Sequence, residues 1–225
     1  MALATLIGPA VLPAQELERV DRIVAVVDED PIFYSDLVRA IAFGFAAAPA
    51  GPEDFRLILE KQIDQRLRAH EIDRYGVPPA PEANIAEQLG HLEAALGGGA
   101  ALDAELQAAG SNREELRRSL DLQLRILSYI EERLAPRVFV DDVEVTAYYQ
   151  GELQAELAGR GQPLPPLAEV KEGIKTVLRE RKLNEEAAKW TADLRRRARL
   201  VDLLDRPASR EEDLPPVVLR IESKR

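Results

Sequence analysis

The chain contains no cysteine, so the sequence excludes disulfide bonds, thiolate metal sites and cysteine catalysis. It has only two histidines, His70 and His91, which fall on separate predicted helices. Neither histidine has a partner at the spacing of a metal-ligating motif such as HExxH. Because His70 continues the apolar spacing of Ile63 and Leu67, we interpret it as a hydrogen-bonded histidine at the edge of the core.

Aromatic residues are scarce, at 5% of the chain, whereas hydrophobic residues make up 46% and charged residues 31%. This composition, rich in Ala and Leu, predicts a mainly helical fold. Acidic residues outnumber basic ones by 40 to 30, which gives the chain a formal net charge of −10. Nucleic-acid binding is therefore disfavoured, since it requires a clustered basic face. We interpret the basic runs at 179–182 and 195–197 as parts of a solvated helix face.

Other features associated with catalysis or ligand binding are missing as well. The three glycines at 97–99 lack the Lys-Ser/Thr pair of a phosphate-binding loop and follow a helix rather than a strand. Residues 28–30 lack the ligand spacing of an EF-hand, so a charged hairpin turn is the better interpretation. Asp141, Asp142 and Glu144 suit a helix N-terminus, where the helix dipole favours acidic side chains. The sequence thus predicts no catalytic site, no metal and no cofactor.

The first residues of the chain are apolar. Residues 1–14 carry no charge, and a polar stretch begins at Gln15. Such a run is too short to span a bilayer, which takes about 20 residues. It fits the end of a secretory signal with cleavage after Ala14, although no basic residue precedes it and the large Leu12 occupies the −3 position. We therefore predict an exported protein without stable membrane insertion, and an uncleaved apolar tail is the alternative.

The most distinctive local pattern lies at residues 20–41. Ile23–Val27 is an apolar, mostly β-branched run of strand length, and an acidic turn separates it from a short second strand at 32–34. Ser35 then stands where the N-cap of a helix is expected. The pattern predicts a small hairpin that opens directly into a helical chain.

Periodic apolar residues predict helices over most of the remaining sequence. A capping box is expected at 111–114, before the widest apolar face, and Asp141 and Asp142 are expected to cap a later helix. Residues 159–166, rich in Gly and Pro, form the only convincing linker. The predicted helices cover residues 36–42, 53–75, 82–96, 100–109, 113–134, 142–158 and 167–198, and candidate strands follow at 200–204 and 217–221.

The order of these elements resembles the N-terminal module of the SurA-type periplasmic chaperones. The resemblance covers most of residues 20–204 and is moderately specific as a succession of weak motifs. Its matching segments are the opening strand at 21–27, Ser35-Asp36-Leu37, and residues 57–77, 102–129, 138–149 and 170–200, with Trp190, Leu194, Arg195 and Ala198 in the last of them.

One departure from that family concerns the prolyl-isomerase domain. In SurA and its relatives a parvulin domain of about 100 residues follows the helix with the paired tyrosines. Here only residues 159–166 lie at that place, and the parvulin histidines have no counterparts. The apolar N-terminus predicts a signal remnant at 1–14. The resemblance implies a SurA N-terminal-like module at 15–158, a linker at 159–166, and a closing helix and strand at 167–205. The tail at 206–225, with a possible strand, has no clear match in that family.

The function that the resemblance implies is that of an ATP-independent periplasmic holdase for unfolded secreted or outer-membrane proteins. Its fold would be mainly α, with a small β-sheet formed by the N-terminal hairpin and a C-terminal strand. A helical adaptor or assembly subunit of an envelope complex is the alternative, and a prolyl isomerase is a weaker one. An apolar groove would bind the client. Aromatic candidates for that groove are Phe43, Phe45, Phe55, Tyr75, Tyr129, Tyr148 and Tyr149. Because aromatic residues at helical spacing usually lie in the core, most of them are expected there, with Phe43 and Phe45 the best placed to escape it.

Overall fold

The computed structural model describes residues 21–205. The predicted signal remnant at 1–14, the tail at 206–225 and its candidate strand lie outside that range. The predicted mainly helical fold with a small sheet is confirmed. Its elements are β1 (Ile23–Val27), β2 (Asp30–Phe33), α1 (Tyr34–Ala42), α2 (Pro52–Arg74), α3 (Glu82–Leu96), α4 (Gly99–Ala108), α5 (Arg113–Arg133), α6 (Asp142–Tyr148), α7 (Gln154–Gly159), α8 (Leu167–Arg197) and β3 (Leu200–Asp202).

The small sheet joins the two ends of the described chain. Its strands are antiparallel in the order β2-β1-β3, so Val26 on β1 lies opposite Pro31 on one side and Val201 on the other. The β-branched residues of β1 favour this extended conformation, and Val24 and Val27 are fully buried. The predicted pairing of the hairpin with a C-terminal strand is therefore present.

The start of α1 differs from the prediction that Ser35 is its N-cap. Phe33 is the N-cap, and α1 begins at Tyr34, two residues earlier than that prediction requires. The carboxylate of Asp36 accepts a hydrogen bond from the Phe33 N–H at 2.8 Å, and the Ser35 hydroxyl donates to the carboxylate of Asp21. An ionised carboxylate is a stronger acceptor than a hydroxyl, which explains why Asp36 holds the helix start.

The capping box predicted at 111–114 is absent, and the N-cap of α5 lies one residue later than predicted. Asn112 is the N-cap of α5, and its side chain accepts from the Glu115 N–H at 3.0 Å. The Ser111 hydroxyl instead donates to the Glu115 carboxylate at 2.5 Å. Both residue types cap helices well, so the sequence alone did not separate the two registers. Asp141, by contrast, caps α6 as predicted, through the Glu144 N–H at 2.8 Å.

The first core cluster lies under the hairpin. It combines the buried faces of β1 and α1 with the middle of α2 and the end of α8. Leu37 and Leu59 are fully buried there, and Leu194 of α8 completes the cluster. Burial of one such Leu side chain stabilises the fold by about 2 kcal/mol, so the return of α8 contributes directly to this core.

Two further clusters lie along α5. The second cluster packs the first half of α5 against α3 and α4, with Leu102, Leu106 and Leu116 almost completely buried. The third cluster lies near the ends of α2 and α5, around Ile72 and Ile126. Helix α5 therefore contributes to two cores, in keeping with its wide apolar face.

Helix α8 packs on different partners along its length. Its second half packs against α2, where Arg195 donates from Nε to Asp64 at 2.5 Å. Its first half packs against α6, where Lys171 donates to Asp142 at 3.0 Å. A five-residue π-helical segment, Tyr149–Leu153, connects α6 to α7. None of the helices within residues 21–205 combines the length and hydropathy that a membrane crossing requires.

Candidate functional site

The seven aromatic residues predicted to form one groove lie in separate places. Phe43 and Phe45 follow α1, and their rings meet edge to face with centroids 5.6 Å apart. Phe55 lies at the start of α2, Tyr75 and Tyr129 meet at the ends of α2 and α5, and Tyr148 and Tyr149 lie in the segment that joins α6 to α7. The structure therefore does not bring these residues together into a single surface.

Phe43 and Phe45 border an open cleft of about 470 Å³ between α1, α2 and α5. Phe43 is only 4% exposed, so the expectation that its ring escapes the core is wrong. The backbone turns sharply at Gly44, where φ is +74°, and this turn returns Phe43 to the second cluster. Phe45 is half-buried beside it. The rings of Phe43 and Phe45 thus form one edge of the cleft, and the second cluster holds them in place.

The two long walls of the cleft are matching helical stripes. Helix α2 contributes Gln62, Gln65, Arg66 and Ala69, and helix α5 contributes Glu115, Arg118, Ser119 and Leu122. Both sets follow the i, i+3, i+4, i+7 spacing of one helix face. These stripes were missed in the sequence because they are mixed in polarity, whereas the search for a groove followed aromatic residues.

Polar groups of several kinds surround the apolar part of the cleft. The Arg39 guanidinium lies 2.5 Å from Asp36 on α1 and is engaged within its own helix. Arg66 and Arg118 reach their nearest carboxylates, those of Asp30 and Glu114, only at 3.9 Å. Such long, exposed contacts contribute little binding energy. These two guanidinium groups are therefore accessible to a molecule that enters the cleft.

Phe55 is part of the core and not of an open groove. Its ring stacks on Tyr34 with centroids 5.8 Å apart, and both rings pack on the first cluster. Burial raises the pKa of the Tyr34 hydroxyl, an effect that the nearby Arg22 partly opposes. This pair fixes the start of α2 against α1.

Tyr75 and Tyr129 belong to a chain of aromatic rings that continues to Trp190. The centroids of Tyr75 and Tyr129 lie 5.6 Å apart, and those of Tyr129 and Trp190 lie 5.0 Å apart. Tyr75 is 50% exposed, with Arg74 and Arg133 over its ring at 5.4 and 5.6 Å. Burial raises the pKa of the Tyr129 hydroxyl. The inner part of this chain is structural, and only Tyr75 presents a ring to solvent.

Tyr148 and Tyr149 hold the segment between α6 and α7 against its surroundings. The Arg181 guanidinium lies 5.5 Å from the centroid of the Tyr148 ring, and the Tyr149 hydroxyl donates to the Pro165 carbonyl at 2.7 Å. Arg181 also donates to Glu152 and holds the pKa of that carboxyl below its usual range. These contacts explain both tyrosines without a ligand.

The acidic turn of the hairpin is held by the rest of the protein. The Asp28 carboxylate accepts from the Arg199 N–H at 2.9 Å, and His70 Nε2 lies 2.6 Å from the carboxylate of Asp30. The predicted hydrogen bond of His70 is thus present, and residues 28–30 form a charged hairpin turn. Across residues 21–205, no group of three or more His, Asp or Glu side chains is arranged to hold a metal ion.

Neither protein-family models nor curated proteins match this chain. The cleft between α1, α2 and α5 combines an aromatic edge with amide, hydroxyl and guanidinium side chains, which supply apolar contacts and hydrogen bonds side by side.

Proposed function

We propose that this protein is an ATP-independent holdase that binds unfolded polypeptide segments in the cleft between α1, α2 and α5. The observation that carries the proposal is the composition of that cleft. Phe45 and Leu122, both half-buried, line it together with the side-chain amides of Gln62 and Gln65. The cleft is thus amphipathic, in place of the purely apolar groove that the sequence led us to expect.

An unfolded segment presents two kinds of group that this cleft can bind. Its exposed aromatic and aliphatic side chains gain free energy when they leave water, at about 25 cal/mol per Å². Its backbone N–H and C=O groups need hydrogen-bond partners wherever water is displaced. Side-chain amides such as those of Gln62 and Gln65 both donate and accept, so they suit a backbone of any sequence. Such binding lowers the free concentration of the unfolded state without a chemical step.

The proposed compartment and clients rest on the sequence. The apolar run at 1–14 supports export, and the succession of hairpin, helices and closing strand supports a relation to the SurA-type chaperones. We therefore infer that the protein acts in the periplasm and that its clients include unfolded outer-membrane proteins.

Suppression of aggregation tests this function directly. The purified chain would be mixed, without ATP, with an unfolded outer-membrane barrel and with an unrelated unfolded soluble protein, and light scattering would be followed. We expect both to stay soluble at near-stoichiometric ratios. The cleft would be refuted as a holdase site if the wild type gave no protection. The same would follow if both Phe45→Ala and Leu122→Ala protected as well as the wild type does.

One observation favours the alternative, an adaptor with a dedicated partner. Phe139, three residues before α6, and Val143, in the first turn of α6, are 75% and 77% exposed. Large apolar side chains so exposed are suited to a fixed protein interface. The two functions differ in selectivity, since a holdase protects unrelated clients and an adaptor binds one saturable partner. Phe139→Ala should therefore leave aggregation suppression unchanged if the holdase proposal is correct.

A further inference from the structure

The small sheet has an open edge at β3. This strand pairs with β1 on one side, and no other strand of residues 21–205 lies beyond it. All three of its residues are exposed, and the large apolar side chains of Leu200 and Val201 are 37% and 43% exposed. An exposed sheet edge presents unpaired N–H and C=O groups, so it is a template for a further strand.

The backbone of β3 directs hydrogen-bonding groups toward this edge. The Arg199 carbonyl accepts from the Asp28 N–H at 2.8 Å, and the Leu203 N–H donates to a carbonyl of β1 at 2.9 Å. Alternate residues of an antiparallel pair bond across it, so Leu200 and Asp202, which fall between the bonded positions, face away from β1. An added strand can therefore form hydrogen bonds with both the N–H and the C=O of these two residues.

The opposite edge of the sheet, at β2, is protected by its own sequence. Pro31 has no N–H to donate, and the Phe33 N–H already donates to the Asp36 carboxylate at 2.8 Å. Proline is one of the means by which proteins prevent a further strand from adding to an edge. Strand β3 contains neither device, so the sheet can be extended on that side.

The described part of the chain ends beside this open edge. Arg56 donates to the carboxylate of Asp202 at 2.8 Å and also to that of Asp205, the last described residue. Residues 206–216 then separate Asp205 from the candidate strand at 217–221. When extended, such a connection spans up to about 36 Å, which is more than three times the length of about 10 Å that three strand residues occupy. The candidate strand can therefore reach β3.

The sequence of residues 217–221, Val-Val-Leu-Arg-Ile, suits an edge strand. Three of its residues are β-branched, which favours an extended backbone. Pro215 and Pro216 come immediately before it, and proline is tolerated where a strand starts. A segment of the same chain also has a high effective concentration, about millimolar for a short flexible connection, which favours it over an extended segment of another molecule.

We propose that residues 217–221 add to β3 as a fourth, antiparallel strand of the sheet. The outward N–H and C=O groups of Leu200 and Asp202 then have backbone partners, and the new strand covers part of Leu200 and Val201. An edge that is occupied in this way accepts no extended segment of another protein. The inference does not rest on the proposed function, because it concerns the chain's own sheet.

Disulfide cross-linking tests the pairing, since the chain has no native cysteine. Val201 occupies a position without hydrogen bonds toward the new strand, where facing Cα atoms lie about 4.5 Å apart, within the range that a disulfide requires. Val201→Cys would be combined in turn with a cysteine at each position from 217 to 221 in the full chain. We expect an intramolecular disulfide at one position or at two positions two residues apart. The yield at the intervening positions should be about fivefold lower, because their side chains point to the other face.

The matched control moves the first cysteine to another exposed valine. Val143 is 77% exposed on α6, which packs against the first half of α8, whereas β3 follows the end of that helix. Val143→Cys with Leu219→Cys should form no intramolecular disulfide. Equal yields at all positions from 217 to 221, or no disulfide at any of them, would overturn the inference. Disulfides that join two chains would overturn it as well, because a second copy would then occupy the edge.

Amide hydrogen exchange measures the proposed hydrogen bonds without introduced cysteines. The double variant Val218→Pro with Leu219→Pro removes two adjacent N–H groups, one of which faces β3 in either register. The Leu200 and Asp202 amides should exchange about tenfold more slowly in the wild type than in this variant. The control, Ala208→Pro with Ser209→Pro, lies in the connection and should keep the wild-type rates. Equal exchange in the wild type and in the Val218→Pro, Leu219→Pro variant would show that the edge is not occupied by this segment.

Discussion

The rings of Tyr129 on α5 and Trp190 on α8 stack with their centroids 5.0 Å apart and their planes inclined by 26°. Trp190 packs against both the first and the third core clusters. One side chain of the closing helix thus connects the core under the hairpin with the core at the ends of α2 and α5.

Replacement of Trp190 should therefore be costly. We expect Trp190→Ala to lower the free energy of unfolding by about 3 kcal/mol, since it removes a large ring from two clusters. Trp190→Phe should cost less than about 1.5 kcal/mol, because it keeps an aromatic ring against Tyr129. It also removes an indole N–H that is buried without a hydrogen-bond acceptor among residues 21–205. Urea denaturation followed by circular dichroism measures both values, and equal losses for the two variants would contradict the stacking argument.

The interaction of α8 with α2 should depend on a single arginine. Arg195 donates to Asp64 at 2.5 Å and to the Glu60 carboxylate at 2.6 Å, and its side chain is 30% exposed. We expect Arg195→Met to cost about 2 kcal/mol, in the range for hydrogen bonds to charged groups. Thermal denaturation of the variant gives the measurement.

The adjacent Arg196 is the matched control for that substitution. It is 70% exposed, and within residues 21–205 its one ion pair is with Asp193, one turn earlier in the same helix. Arg196→Met should change stability by less than about 0.5 kcal/mol, as for most exposed helical pairs. If both substitutions cost the same, the network between α8 and α2 does not stabilise the fold as argued.

The elements that the sequence predicted well are those with strong local signals. The β-branched run Ile23–Val27 and the cap at Asp141 lie where they were expected. Where two residues could perform the same local task, the prediction failed by one or two residues. Ser35 and Ser111 were expected to cap helices, but the N-caps are Phe33, whose N–H donates to the Asp36 carboxylate, and Asn112. Hydroxyls, amides and carboxylates compete for the same N–H groups.

The cleft was harder to predict from the sequence. Its stripe on α2 consists of Gln62, Gln65, Arg66 and Ala69, which reads as an ordinary solvated helix face until α5 is placed opposite. The aromatic residues that were favoured as site candidates are mostly core, in line with the general preference of large rings for burial. Phe45 lines the cleft, whereas Tyr149 donates a hydrogen bond to the Pro165 carbonyl.

Low pH should weaken the packing of α6 and of the π-helical segment Tyr149–Leu153 against α8. Hydrogen bonds from Lys171, Lys182 and Arg181 lower the pKa values of Asp142, Glu144 and Glu152, respectively. A carboxyl group whose pKa is lower in the folded state stabilises the fold above its unfolded pKa, and this contribution is lost as the pH falls through the folded value. The three ion pairs should therefore stabilise the protein near neutral pH and fade from about pH 4 downward.

A triple amide variant measures that contribution without other changes. The variant Asp142→Asn, Glu144→Gln and Glu152→Gln should be less stable than the wild type at neutral pH, and the difference should narrow as the pH falls below about 4. Urea midpoints at several pH values give the comparison. Its control replaces exposed carboxylates that form no salt bridge within residues 21–205, namely Glu105, Glu131 and Glu180, by Gln. A constant gap between variant and wild type across the pH range would rule out the assigned ion pairs.

The two phenylalanines of the cleft should differ in their effects: substitution of Phe43 should mainly lower stability, and substitution of Phe45 should mainly weaken client binding. Phe43 is 4% exposed and packs in the second cluster, so Phe43→Ala should cost about 3 to 4 kcal/mol of stability. Phe45 is half-buried at the cleft edge, so Phe45→Ala should cost about 1 kcal/mol while weakening client binding severalfold.

Fluorescence anisotropy with a labelled unfolded client gives the affinity of each variant, and urea denaturation gives its stability. Phe139→Ala is the control for both measurements, because Phe139 is 75% exposed and lies outside the cleft. It should leave client affinity and stability close to the wild-type values. If Phe45→Ala binds clients as tightly as Phe139→Ala does, the phenylalanine edge of the cleft does not contact the client, and the exposed residues of α6 become the stronger candidates for the binding surface.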